Sequence, residues 1–302
     1  MSKTMEKGQT ILVRDLNENT KVYRWILELM SRFGYLSIDE IKYGFGLTPQ
    51  VAIDRLKYLE RAQFIQRFPS LTTPSTFFCL ASQGRVVVKS HQLSDETHLF
   101  RPSDYRPFYQ NHDRYLIRVY LALKKIFGEN FQSWASERTL RQDSGVKKEE
   151  DLFQGRRVFD GEFGLMMHQT EFSRILAGQV KELGVIRELW RCGLEVELSL
   201  KSPARYRKQF QSLASSVYDP LFKKQIIPLI LFLYSTNTIY DRLVKHVQEN
   251  SSSYGRCLCV FGQVDRFLNE LGNAPLIQFL GSEVQEITAK ELNHIHVEVV
   301  QS

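Results

Sequence analysis

One stretch of the sequence places acidic and basic side chains at a spacing that can do chemistry. In "CGLEVELSLK" (192–201) the alternate positions are Glu195, Glu197, Ser199 and Lys201. Side chains alternate across a β-strand, so these four would share one face. Two carboxylates that face the same way repel each other unless a cation or a proton lies between them. The pattern therefore predicts a divalent-metal site with oxygen ligands, or else a hydrated strand edge on which Lys201 balances the glutamates.

The residues between these positions predict which side of the strand faces the core. Val196, Leu198 and Leu200 alternate with the charged residues. Alternating side chains point to opposite faces, so the strand can bury these three apolar side chains together only if the charged residues face the other way. We therefore expect all three to be buried. Glu195, Glu197 and Lys201 would then face a cleft.

The segments around this strand predict an α/β domain. Helix, three strands, helix and strand is the core order of the restriction-endonuclease-like fold, and the alternating later half fits a sheet with helices on its faces. In chain order the predicted elements are a helix at 115–127, strands at 131–140, 157–167 and 192–201, a helix from Pro203, a strand at 226–234, a helix at 238–248, a strand at 257–261 and a helix at 264–271.

The first hundred residues predict three short helices. Apolar residues recur at helical spacing over 23–33. A second helix begins after Ser37, with Glu40 three positions later as in a capping box. Thr48 caps a third helix, and Pro49 occupies its first position, where the missing N–H does no harm.

Two short strands, at 64–68 and 77–81, follow these helices around a polar turn. Three helices and a two-stranded wing are typical of an N-terminal winged helix-turn-helix, whose third helix enters the major groove. The same fold can also serve as a protein-docking module, and the sequence leaves that alternative open. The residues predicted to contact DNA are Gln50, Arg55, Lys57, Tyr58, Arg61 and Arg67.

Charge is distributed unevenly along the 302 residues. Residues 1–90 hold 13 Lys and Arg against 8 Asp and Glu, a net charge of +5, whereas the rest of the chain holds 27 against 26. A basic N-terminal part predicts a polyanionic partner, although a merely solvated basic surface has the same charge. The predicted organisation is a polar tail at 1–20, the winged helix at 21–95, a linker at 96–111, the nuclease-like domain at 112–275 and a C-terminal extension at 276–302.

Composition excludes several classes of protein. Four cysteines cannot build a disulfide scaffold, and the longest apolar run, at 226–234, is far shorter than the roughly 20 residues of a membrane span. The N-terminus lacks the apolar core of a secretory signal. A Gly-rich phosphate-binding loop is absent, so we expect no nucleotide or organic cofactor. These features predict a soluble, cytoplasmic protein with no membrane partner.

Three stretches carry a resemblance to a known family: "NHDRYLIRVYLAL" (111–123), "SWASERTLR" (133–141) and "CGLEVELSLKSPARYRKQF" (192–210). The chain resembles the replication-relaxation family of plasmid and mobile-element proteins, which includes mobilization accessory proteins that help a relaxase at an origin of transfer. The resemblance implies a winged helix followed by a PD-(D/E)xK nuclease-like domain. It also implies that the partners are double-stranded DNA and a relaxase or other mobilization protein, and it leaves a homodimer open.

The resemblance also implies a set of site residues. Asp160 in "FDG" matches the aspartate of the PD element, Glu195 matches the acidic position of (D/E)xK, and Glu137 matches a glutamate in "W-x-x-E". Asp160 and Glu195 would then hold Mg²⁺ or Mn²⁺. Glu197 stands where the motif has lysine and would be a general base or second ligand. Lys201 lies four residues further along, on the same predicted face of the strand.

The sequence leaves the activity of this domain open. The domain would cut or nick DNA as a metal-dependent endonuclease, or only bind it. In the alternative readings, the protein is a non-enzymatic scaffold or a transcriptional regulator, and the carboxylates are neutralised internally by Lys201 or Arg157. Three basic residues directly follow the acidic strand and would contact phosphates or form an ordinary helix surface: Arg205, Arg207 and Lys208.

Overall fold

The computed structural model is a mixed α/β protein, as predicted, with eight α-helices among the residues it describes. It divides into two compact units, Met1–Arg118 and Val119–Ser302. None of the described helices is long and apolar enough to cross a membrane. The described residues are 18–69, 76–91, 93, 100–102, 105, 107–137, 140, 159–175, 179–219, 224–225, 227–250, 257–280, 283–292 and 294–299.

The first unit begins with three helices; the first starts at Glu18, within the predicted polar tail, while the starts of the second and third are as predicted. Ser37 caps the second helix, its backbone N–H donates to the Glu40 carboxylate at 2.9 Å, and the predicted capping box is confirmed. Thr48 caps the third helix and Pro49 is its first residue, also as predicted. The elements are α1 (Glu18–Phe33), β1 (Tyr35–Ser37), α2 (Ile38–Phe45) and α3 (Pro49–Arg61).

Two strands and a fourth helix complete this part of the unit. β2 (Ile65–Pro69) and β3 (Thr76–Leu80) pair antiparallel, and β1 pairs with the other side of β3. Of the predicted turn at 69–75, Pro69 is the last residue of β2, and residues 70–75 lie outside the described residues. The helix α4 (Ser82–Ser90) was not predicted, because its valine run is typical of strands. It packs so closely on Phe64 that a Cβ at Gly84 would lie 1.9 Å from the Phe64 carbonyl oxygen.

A buried carboxylate ties the start of the helix α5 (Gln110–Phe127) to α2. The fully buried Glu40 accepts from Arg114 Nε at 2.9 Å and lies 3.4 Å from Arg118 Nη2. Arg114 also pairs with Asp39 at 3.0 Å. These ion pairs explain why the first unit extends to Arg118, beyond the end of the predicted linker at 111.

The described residues of the second unit form a sheet of eight strands in the order β12 (Glu283–Thr288), β11 (Pro275–Leu280), β10 (Leu258–Gln263), β9 (Leu229–Tyr234), β6 (Gln179–Glu197), β5 (Gly161–Ile175) and β13 (His294–Val299), with β4 (Phe131–Ser136) paired to β5. β5 runs antiparallel to both β4 and β6, whereas β6, β9 and β10 are parallel to one another. The helix, three strands, helix and strand come in the predicted order. The elements are β4 (Phe131–Ser136), β5 (Gly161–Ile175), β6 (Gln179–Glu197), α6 (Pro203–Val217), β7 (Tyr218–Asp219), β8 (Lys224–Gln225), β9 (Leu229–Tyr234), α7 (Asn237–Glu249), β10 (Leu258–Gln263) and α8 (Val264–Glu270).

Residues 276–302 were predicted to be an extension, but their described strands belong to the sheet. β11 (Pro275–Leu280) pairs with β10, and β12 (Glu283–Thr288) pairs with β11. β13 (His294–Val299) pairs in parallel with β5. The local sequence cannot show the last pairing, because its partner lies far earlier in the chain.

The strand β6 starts earlier and ends earlier than predicted. Its pairing with β9 ends at Glu197. The Ser235 hydroxyl then donates to the Leu198 carbonyl at 3.1 Å. Lys201 therefore lies beyond the strand. Of the predicted core residues, Val196 is buried, Leu198 is only half-buried and Leu200 is 55% exposed. The prediction that Leu200 is buried is wrong because the strand ends at Glu197.

One face of this sheet carries an aromatic core that frames the end of β6. Phe210 of α6 stacks on Phe232 of β9 with ring centroids 5.8 Å apart, and Phe232 stacks on Phe261 of β10 at 5.0 Å. Phe159 belongs to the same cluster. It lies against β6 where Gly193 has no side chain, since a Cβ there would be 2.5 Å from the Phe159 ring.

Candidate functional site

The acidic residues of β6 were predicted to face a cleft, but both are buried. Glu195 is 3% exposed and Glu197 is 5% exposed. Both point to the face on which α6 packs, as their bonds to Gln209 and Lys201 show. Burying a charged group is costly unless it is paired and hydrogen-bonded, so the partners of these two carboxylates decide what the site can do.

A continuous chain of hydrogen bonds joins the two glutamates. Gln209 Nε2 donates to Glu195 Oε2 at 3.3 Å. Lys201 Nζ donates to Gln209 Oε1 at 3.0 Å and also to Glu197 Oε2. The ammonium thus neutralises one carboxylate directly and contacts the other through the amide. We call these four residues the carboxylate network.

The aromatic ring of Tyr206 packs beside Lys201 of the carboxylate network. Lys201 Nζ lies 5.9 Å from the centroid of the buried Tyr206 ring. Burial, followed by the nearby Glu197 carboxylate, raises the pKa of Tyr206 to about 12. The phenol therefore stays protonated at neutral pH. Its ring also packs against His246 of α7, with centroids 5.7 Å apart.

The other two predicted site residues lie where β5 and β6 separate. Asp160, one residue before β5, accepts a hydrogen bond from the Val196 backbone N–H at Oδ2, at 2.8 Å. Its carbonyl accepts from the Glu137 N–H at 3.2 Å. Glu137 lies just after β4 and not within a strand as predicted, because β4 ends at Ser136. The backbone of the site is thus brought together from three elements.

The arrangement of donors does not favour a metal ion. A hard divalent cation takes several oxygen ligands. In the described ranges no group of three His, Cys, Asp or Glu side chains is arranged to hold a metal ion. One oxygen each of Asp160, Glu195 and Glu197 already accepts a hydrogen bond from the protein. These residues fit neutralisation by Lys201 better than a metal centre, and the Mg²⁺ or Mn²⁺ site at Asp160 and Glu195 stays a prediction.

Gln209 is the member of the carboxylate network that the sequence analysis missed. It lies next to Phe210 within the buried stripe of α6, which also contains Tyr206, Leu213 and Val217. A glutamine at a core position needs polar partners. Its place in an apolar stripe at helical spacing was therefore the signal that could have identified it.

The predicted DNA-contacting residues of α3 do not all share one environment. Lys57, Tyr58 and Arg61 are exposed, and they lie on the side opposite the buried Ala52 and Leu56. At three- and four-residue spacing they form one helix face. We call Lys57, Tyr58 and Arg61 the α3 face.

The other three predicted contacts are engaged within the first unit. Arg55 donates to the Tyr23 hydroxyl at 2.9 Å and lies over the Tyr23 ring, which stacks on Tyr58 at 4.7 Å. Arg67 pairs with Glu60 at 2.6 Å. Gln50, which is exposed, donates to Asp54 at 3.0 Å. Arg55 therefore orients the α3 face and is less available to phosphate than the sequence suggested.

Basic residues also line the start of α6, on the helix that supplies Gln209. Arg205, Arg207 and Lys208 are all exposed, so they alternate with the buried Tyr206 and Gln209 around the helix. Their predicted contact with phosphates stays a prediction.

The chain was compared with known proteins. No family model matches it, and no curated protein matches it significantly.

Proposed function

We propose that the protein binds duplex DNA through the α3 face, with α3 as the recognition helix of a winged helix-turn-helix. The α3 face carries the proposal: Lys57 and Arg61 are exposed one turn apart beside an exposed aromatic ring. The order α2, turn, α3 and two antiparallel strands supports it. Basic side chains at this spacing can contact consecutive phosphates and reach base edges in the major groove.

The second unit, in this proposal, is a nuclease-like domain that does not cut. Its order of antiparallel strands β4-β5-β6 followed by the parallel β9 supports the nuclease-like fold. The carboxylate network supports the lack of cleavage, because Lys201 pairs with one oxygen of Glu197 and Gln209 donates to one oxygen of Glu195, so both glutamates already have partners within the protein. The unit would then recruit a relaxase or another mobilization protein, so that the chain acts as an accessory protein of plasmid replication or mobilization.

A mobility-shift titration of duplex DNA tests the binding proposal. Lys57→Glu removes a phosphate contact and adds repulsion, so we expect the affinity to fall at least about tenfold for any duplex sequence. The matched control is Lys89→Glu, an exposed lysine on α4 of the same unit, which should leave the affinity within about twofold. Equal affinities for the wild type and Lys57→Glu would refute the role of the α3 face.

Incubation of supercoiled plasmid with Mg²⁺ or Mn²⁺ tests the proposed lack of cleavage. We expect the plasmid to stay supercoiled with the wild type and with Asp160→Ala. Nicking by the wild type that Asp160→Ala abolishes would replace this part of the proposal with a metal-dependent endonuclease. It would leave the DNA-binding part unaffected.

A further inference from the structure

Part of one edge of the strand β6 has no pairing partner among the strands that the structure describes. Only residues 192–197 of β6 pair with β9. Over residues 179–191, β5 is the only described strand that pairs with β6, and β4 and β13 pair with the other side of β5. Leu189 on this segment is 55% exposed, and Arg187, Glu188 and Arg191 are exposed as well. An open edge of this length is a template for pairing with another strand.

Hydrogen bonds at the end of β6 show which of its residues direct their backbone N–H and C=O groups to this edge. The Val196 N–H bonds to Asp160 on the β5 side, and the Glu197 carbonyl bonds to Ser235 on the β9 side. Main-chain groups alternate in direction along a strand. It follows that Val185, Arg187 and Leu189 present their N–H and C=O groups to the open edge.

A β-bulge interrupts this alternation. In the pairing with β5, Glu171 is opposite Gly184 and Phe172 is opposite Glu182, so Leu183 is an extra residue. An extra residue shifts the alternation of everything beyond it by one position. Beyond Leu183, the even-numbered residues Val180 and Glu182 therefore direct their backbone N–H and C=O groups to the edge. Counting without the bulge would assign the odd-numbered residues to it.

With this alternation, the unpaired segment of β6 in one copy can pair with the same segment in a second copy. Two copies that pair antiparallel across a two-fold axis perpendicular to the sheet require residues of the same phase opposite each other. An axis between the two copies of Val185 satisfies the condition. Between the two copies the register then reads Arg187 with Glu182, Glu188 with Lys181, Leu189 with Val180, and Trp190 with Gln179.

In this register the basic positions 187 and 181 lie opposite the acidic positions 182 and 188, and the symmetry repeats each pair. Trp190 Nε1 donates to Glu188 at 3.0 Å, as expected if these two residues share a face of the strand. Without the bulge, the same axis would place Arg187 opposite Leu183 and Glu188 opposite Glu182. We propose that two copies of this chain associate through residues 179–191 of β6 and continue the sheet across the two-fold axis.

Sedimentation equilibrium over a range of concentrations tests the proposal by charge reversal. Lys181→Glu and Glu188→Lys each place like charges opposite each other twice per dimer, so each should raise the dissociation constant about tenfold. The double variant, with the charges exchanged, should restore the wild-type value. The matched control, Lys245→Glu on the exposed face of α7, should leave it unchanged.

Val185→Pro tests the backbone pairing independently. Proline removes the N–H that would lie at the centre of the pairing, while the bonds from β6 to β5 use the other phase. We expect a monomer with an unchanged circular dichroism spectrum. A wild type that stays monomeric at all concentrations would overturn the proposal, as would a dimer that neither Val185→Pro nor the single charge reversals weaken.

Discussion

The carboxylate network makes a strong prediction about Lys201. Its side chain is 18% exposed, and that of its partner Glu197 is 7% exposed. Lys201→Met keeps the length of the apolar stem but leaves Glu197 as an uncompensated buried charge. Removing one partner of a buried pair costs about 3–5 kcal/mol, and the partial exposure of Lys201 favours the lower end. Gln209 also loses a donor at 3.0 Å, which costs about 1 kcal/mol. We expect a total loss of about 4 kcal/mol.

A double-mutant cycle in urea separates the charge from the packing. Adding Glu197→Gln to Lys201→Met removes the buried charge, so the double variant should recover most of the loss and lie within about 1–2 kcal/mol of the wild type. The reasoning is refuted if Lys201→Met costs less than about 1 kcal/mol. It is also refuted if the double variant is as unstable as Lys201→Met alone, because the charge would then not be the cause.

Three further predictions concern burial and titration. Leu194→Ala should cost about 2–5 kcal/mol in urea unfolding, whereas the exposed Leu200→Ala should stay within about 0.5 kcal/mol of the wild type. Tyr206 has a pKa of about 12 in the fold and 10.0 ordinarily, so its contribution to stability is complete below pH 10 and is lost as the pH rises toward 12. Tyr206→Phe should therefore reduce the loss of melting temperature over that interval. Glu40→Gln leaves two arginines beside a neutral amide and should cost about 3 kcal/mol or more, measured by urea unfolding.

Local signals in the sequence predicted the helix ends well. Ser37, Glu40, Thr48 and Pro49 cap or start their helices as expected, because each acts on backbone groups within a few residues of itself. Such contacts depend little on the rest of the fold. The order of elements in the second unit was predictable for a similar reason, since each element has its own hydrophobic period.

The end of β6 could not be predicted in the same way. The apolar and charged residues alternate as far as Lys201, yet the strand ends at Glu197. The end depends on where β9 stops pairing and on Lys201 bonding back to Glu197 and Gln209. These contacts join residues from three elements, and no local pattern contains them. The pairing of β13 with β5 is non-local in the same sense.

The salt dependence of DNA affinity reports how many phosphate contacts the α3 face makes. Each phosphate contact in duplex DNA contributes about 0.9 to the slope of log K against log salt concentration. If the α3 face binds phosphates, Lys57→Gln with Arg61→Gln should lower the magnitude of that slope by about two and weaken binding to all duplex sequences alike. A slope equal to that of the wild type, measured by fluorescence anisotropy on the same duplex, would contradict the assignment of DNA binding to α3.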